Sequence, residues 1–167
     1  MESNQKPVIP ESAYVAPTAV VTGEVTFGEH AVVLFGAVVR GDVAAIKIGD
    51  ETNIQDNTVI HCDTGLPTII GRRVTIGHAA IVHSSTVGDS CLVGIGSMAL
   101  SGSEMGEGSW LAAGAVLAEG KSIPPWTVAV GVPAKPIREL TEAEVDRQRK
   151  GVDTYLRLGE HYRANYR

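Results

Sequence analysis

The sequence predicts an all-β solenoid that ends in an α-helix. Three observations lead there: an aliphatic residue at every sixth position, a small residue locked to the same period, and a helix-capping signature near residue 141. The aliphatic ladder starts at Val15 with VAPTAV, VTGEVT, FGEHAV, VLFGAV and VRGDVA. After a break at Ala45, Ile46 and Lys47 it resumes at Ile48 with IGDETN, IQDNTV and IHCDTG. A second break spans Leu66 to Ile69, followed by IGRRVT and IGHAAI from Ile70, and the step Val82 to Thr86 is one residue short. From Val87 the phase holds through IPPWTV. A helix cannot keep every sixth residue on one stripe. An extended chain can, because six is a multiple of the strand period of two. A fixed short period marks stacked structural repeats.

The second regularity lies four residues after each aliphatic position. Val25, Ala31, Ala37, Val43, Thr52, Thr58, Thr64, Val74, Ala80, Cys91, Ser97, Ser103, Ser109 and Ala115 are all small or β-branched. A side chain held small at fixed phase implies a tight interior corner. Glycine recurs one place after the ladder residue, at Gly49, Gly71, Gly77, Gly88, Gly94 and Gly106, where a backbone bend is expected. The solenoid is assigned to residues 1–133 and a linker plus helix to 134–167. The helix is expected after Thr141, which forms a T-x-x-E capping box with Glu144. Its pattern, Val145, Val152, Tyr155, Leu156, Leu158 and Tyr162, is amphipathic, with Gly151 and Gly159 expected to kink or fray it. These repeats resemble the left-handed parallel β-helix of hexapeptide-repeat proteins, which implies triangular coils of three hexads each.

At 167 residues the chain is one domain with a sizeable core. Its net charge of -5 argues against nucleic acid or an anionic membrane as partner. Every apolar run is broken well before the roughly 20 residues that a membrane span needs. The start, MESNQKPVIPES, lacks a signal region, and two cysteines make no disulfide framework. A cytoplasmic location is the expectation.

His61 and His83 both follow a ladder residue and, allowing for the four-residue break, lie one coil apart. They should stack on one face, about 4.8 Å apart, in a column with Arg40. His78 lies two places after its ladder residue, one coil above Asp56 and next to the column of Gln55. The two columns diverge around a corner, so a symmetry-related neighbour has to bring them together, as three prisms around a three-fold axis would. Three imidazoles leave one position open on a tetrahedral ion, and an ion so held lowers the pKa of bound water to about 7. The residues alone also permit solvated surface histidines, which is the reading for His30 and His161.

The runs VVRGDV, TNIQDNTVIH and IGHAAIVH closely resemble the γ-class carbonic anhydrase family, over nearly the whole chain. The resemblance implies His61, His78 and His83 as metal ligands, the first and last from one subunit and His78 from the next, in a homotrimer. It implies zinc, with ferrous or cobaltous ion accepted by the same imidazoles, and reversible hydration of carbon dioxide to bicarbonate by a metal-bound hydroxide. It makes Gln55 the partner of metal-bound water and Asn53 the residue that orients Gln55. Arg40 and Asp42 match an interface ion pair, with Asp56 a further partner, and Tyr155 matches a helix tyrosine near the site. Where active relatives carry a glutamate after the R-x-D aspartate, this chain has Val43, and its short loop CDTGLPT holds one acid, Asp63, in place of a proton-shuttling glutamate. In this it resembles the family's short-loop branch, which implies weak turnover. Two alternatives stand: a metal-binding accessory or thioesterase-like protein of coenzyme A thioester metabolism, and a hexapeptide acyltransferase.

Overall fold

The computed structural model describes residues 5–166. In chain order the strands are β1 (Tyr14–Val15), β2 (Val20–Phe27), β3 (Val32–Val33), β4 (Val38–Ile48), β5 (Asn53–Ile54), β6 (Val59–His61), β7 (Thr68–Ile70), β8 (Thr75–Ile76), β9 (Ile81–His83) and β10 (Thr86–Val87). They continue with β11 (Leu92–Val93), β12 (Met98–Ala99), β13 (Glu104–Met105), β14 (Trp110–Leu111), β15 (Val116–Leu117), β16 (Ser122–Ile123), β17 (Thr127–Val130) and β18 (Lys135–Glu139), and helix α1 (Glu142–Asn165) ends the chain. They wind a left-handed parallel β-helix of about 6 turns. One face stacks β1, β3, β5, β8, β11, β14 and β17. A second stacks the first halves of β2 and β4 with β6, β9, β12 and β15, and a third their second halves with β7, β10, β13 and β16.

The predicted ladder fills the interior. From Val33 through Val39, Ile48, Ile54, Ile60, Ile70, Ile76 and on to Ile123, every ladder residue is at most 3% exposed. Burying one such side chain contributes about 1.5–3 kcal/mol. The corner residues Thr52, Thr58, Cys91, Ser97, Ser103 and Ser109 are equally buried, and their hydroxyl and thiol groups are satisfied locally, as when Thr52 Oγ1 donates to the Gly71 carbonyl at 2.8 Å.

Five local expectations are corrected. Ile46 and Lys47 belong to the register: Ile46 is buried and pairs with Val25 and Thr68. The extra residues of β4 bulge out between Gly41 and Ile46, and Val43 is only half buried. Thr68, not Thr64, fills the next corner; Thr64 is exposed on a loop closed by the Asp63–Leu66 bridge. The bend expected at the glycines one place after the ladder is made instead by residues in the left-handed conformation. Those fall three places after it, as at Glu51, Asn57, Arg73, Gly96 and Gly108. Gly49 is required for stacking instead, since a Cβ there would lie 2.5 Å from the Gly71 carbonyl carbon. The segment expected as a linker contains β18, antiparallel to β17.

Helix α1 runs unbroken, with the capping box of Thr141 and Glu144 in place. It packs on β1, β3 and β5 of its own chain, burying Val152 and setting Tyr155, Leu156 and Tyr162 against Tyr14, Val32 and Leu34. Gly159 does not kink it: the bare Cα lets the helix lie on Val32, whose Cγ2 would be 2.5 Å from an added Cβ. Arg73 ties the helix to the solenoid, bonding Asp153 at 2.6 Å and also Glu51.

Candidate metal centre

His61 and His83 stand in direct register on β6 and β9. Both follow a buried ladder residue, Ile60 and Val82, so strand alternation turns them outward on the second face. His61 Nδ1 lies 3.1 Å from His83 Nε2. The outer nitrogens are engaged. His61 Nε2 is 3.0 Å from Asp42 Oδ1, and His83 Nδ1 is 3.1 Å from Ser101 Oγ. The Ser101 hydroxyl donates to Asp63 Oδ2 at 2.6 Å, so it accepts from His83. Asp42 arrives through the bulge in β4, a distortion that re-aims a side chain.

This network assigns the protons. A carboxylate accepts, so neutral His61 carries its hydrogen on Nε2; Ser101 accepts, so neutral His83 carries its hydrogen on Nδ1. Two imidazole lone pairs then face each other at 3.1 Å. Facing lone pairs repel unless a proton or a cation lies between them. Tetrahedral zinc–imidazole bonds of about 2.0–2.1 Å put neighbouring ligand nitrogens about 3.3 Å apart. The pair therefore fits two corners of such a site, and a carboxylate on the far nitrogen is the usual outer support of a metal-bound histidine. Asp42 sits below the ordinary carboxylate range, held there first by the Arg40 hydrogen bond and then by His61. Asp63 is lowered chiefly by the Ser101 hydroxyl.

The second group lies on the other column. His78 Nδ1 is 2.9 Å from Asp56 Oδ2, and its Nε2 is 3.4 Å from the Tyr155 hydroxyl. Helix α1 thus carries Tyr155 to His78, and burial, then Asp56, raises the phenol above its usual range. Gln55 Nε2 donates to Asn53 Oδ1 at 3.2 Å, and Asn53 Nδ2 in turn donates to Thr75 Oγ1 at 3.0 Å. Gln55 lines a groove of about 330 Å³ whose other walls include Leu92, Ile95, Trp110 and Val128. Within one chain the two groups stay apart: among the described residues no three His, Cys, Asp or Glu side chains form a group that could hold a metal ion.

Within the chain Arg40 pairs with Asp42, and Asp42 touches His61. Asp56 pairs with His78. Sequence reasoning missed Ser101, although its place 18 residues after His83, one coil on, was a usable signal.

No protein-family model matches the chain. A "Probable carbonic anhydrase" of Methanocaldococcus jannaschii is 42% identical over 153 residues, 92% of this chain and 96% of that protein. A carbonic anhydrase of Geobacillus kaustophilus is 42% identical over 158 residues, 95% of this chain and 87% of its own length. The crystal structure of a candidate acetyltransferase from Bacillus cereus superposes with a TM-score of 0.95 at 40% identity, covering 96% of this chain and 94% of that one. With two near-full-length relatives at this identity, and with its hexads, its R-G-D and N-x-Q-D runs and its outward histidines, the chain belongs to the γ-class carbonic anhydrase family of hexapeptide-repeat proteins.

Proposed function

We propose that the protein is a homotrimeric metalloenzyme that interconverts carbon dioxide and bicarbonate. The observation that carries this reading is the 3.1 Å approach of His61 Nδ1 to His83 Nε2, with both outer nitrogens already engaged. His61 and His83 of one protomer and His78 of the next would hold a zinc ion, with ferrous or cobaltous ion as alternatives. When bound, the ion supplies a Lewis acid and a source of hydroxide at neutral pH.

The chain's own groups then position the reactants. Asn53, fixed by Thr75, holds the Gln55 amide at the groove, where it hydrogen-bonds the attacking water. Leu92, Ile95 and Trp110 give that groove apolar walls, suited to an uncharged gas. Asp42 orients His61, Asp56 orients His78, Arg40 fixes Asp42, and Tyr155 supports His78 from the helix. The loop at residues 62–68 offers Asp63 as its one carboxylate, so transfer of the released proton to buffer limits turnover.

Assembly into a trimer draws support from the second face. Val20, Val38, Val59, Ile81, Met98 and Val116 follow one another in register as an outward aliphatic column beside the histidines, with Val20 53% exposed. A second copy covers this column and at the same time brings the His78 it lacks. Two free buried cysteines, Cys62 and Cys91, fit a reducing cytoplasm; no helix among the described residues is long and apolar enough to cross a membrane.

One observation favours a second reading. The groove of about 330 Å³ exceeds what a three-atom gas occupies and could admit the acyl end of a thioester, as in a thioesterase-like or accessory role. Acyl transfer, the third reading, rests on the acetyltransferase likeness of the Bacillus cereus structure. Metal content, mass in solution and stopped-flow hydration of carbon dioxide, with zinc and with anaerobic ferrous ion, separate the three. One ion per chain in a trimer with hydration above background is expected. A metal-free protein that hydrolyses or transfers acyl groups from coenzyme A thioesters would overturn the proposal.

A further inference from the structure

We infer that Ser101 and Asp63 form a clamp that fixes the tautomer of His83 and thereby sets how tightly this protein holds its metal. The inference rests on the metalloenzyme reading above. Two departures from the six-residue period meet here. The loop between His61 and Thr68 is four residues long beyond its phase, and the step from Val82 to Val87 is one short. They face each other across adjacent coils. The short step turns Ser84 to a φ of 45° and buries it. Its Oγ accepts from the Asp63 backbone N–H at 2.5 Å and donates to the Leu66 carbonyl at 3.1 Å, pinning both ends of the loop bridge. The pinned loop presents Asp63 Oδ2 to the Ser101 hydroxyl at 2.6 Å, one coil beyond His83, and lies 3.7 Å from His83 Nδ1 itself.

A hydroxyl can donate or accept. Left alone, Ser101 would permit either His83 tautomer. The carboxylate removes that freedom: Ser101 must donate to Asp63, so it can only accept from His83 Nδ1–H. Nε2 is then left unprotonated, with its lone pair aimed at His61. The short-loop acid is therefore a positioning residue acting through Ser101, and the loop serves to orient a ligand. His61 receives the same service from a single carboxylate, Asp42.

The test has two readouts on the full-length protein. Histidine ¹⁵N shifts of the metal-free protein report the His83 tautomer, and chelator competition reports zinc affinity. Ser101→Ala should mix the tautomers and weaken zinc about 10- to 100-fold, the range for loss of such outer partners. Asp63→Asn should do the same to a smaller degree, and Ser101→Thr should restore both. Should Ser101→Ala not fold, Asp63→Asn on its exposed loop carries the test. An unchanged tautomer with zinc affinity within twofold of wild type would overturn the clamp. If wild type itself bound no more zinc than His83→Ala, the metal reading would fail, and the tautomer readout would still decide the clamp.

Discussion

The coils after Val87 and the coils between Val38 and Thr86 are built on one interior and differ in everything outside it. In the later coils Leu92 and Trp110 pair at the ideal spacing, and most left-handed corners are glycine, at Gly96, Gly102, Gly108, Gly114 and Gly120, with Ser90 and Trp126 the exceptions. In the earlier coils the corners are Glu51, Asn57, Arg73 and Ala79, each an L-residue in a conformation that costs roughly 1–2 kcal/mol. Arg73 returns part of that cost by tying down the helix through Asp153. The bulge, the loop and the short step all fall in this stretch, and so do His61, His78 and His83. The solenoid tolerates insertions at its corners because the ladder resumes in phase, so a site can be assembled outside without disturbing the core.

Three measurements bear on this contrast. The largest effect is expected inside. Ile60→Ala in the interrupted stretch and Leu111→Ala in the regular one should each cost about 2–5 kcal/mol in urea unfolding, since both side chains are fully buried. A much smaller cost at Ile60 would mean that the ladder is not continuous across the irregular coils. One residue further along β6 and its neighbour, the consequence should be chemical. His83→Ala should lower carbon dioxide hydration more than about 100-fold, beyond what loss of an outer partner costs, while the melting temperature stays near wild type. A collapse in stability would make His83 part of the scaffold. The smallest effect belongs to neither stretch. Glu144, at the helix cap, is lowered from 4.5 to about 2, first by the Arg138 hydrogen bonds and then by the Thr141 backbone. Its folded-state value lies below its unfolded one. Its contribution is therefore complete above about pH 4.5 and fades as pH falls toward 2. The melting-temperature gap between wild type and Glu144→Gln should be present at pH 7 and close across that window.

The period carried most of the fold into view, because an aliphatic residue every six places has few other physical meanings. What it could not show is where extra residues leave the ladder. Thr64 and Thr68 flank the same break, and only the structure shows that Thr68 is the one whose hydroxyl finds the His61 carbonyl. Ile46 was legible as apolar but not as aligned with Val25, because a bulge shifts phase without changing composition. β18 hides behind Pro133 and Pro136, which read as linker. The histidine pair was visible as a spacing. Its orientation was not, since Asp42 and Ser101 reach the rings through a bulge and across a coil, and neither route is written in local sequence.

The antiparallel strand β18 has a consequence for the far end of the molecule. A stack of parallel coils has no natural last member: its final backbone edge would recruit any extended chain, including the first coil of another copy, and a filament would follow. β18 covers β17 in the opposite sense, and its own free rim carries Lys135, Arg138 and Glu139 and a Pro136 with no hydrogen to donate. Five residues thus close the last edge of the face that also carries the helix, one of the three rims at that end.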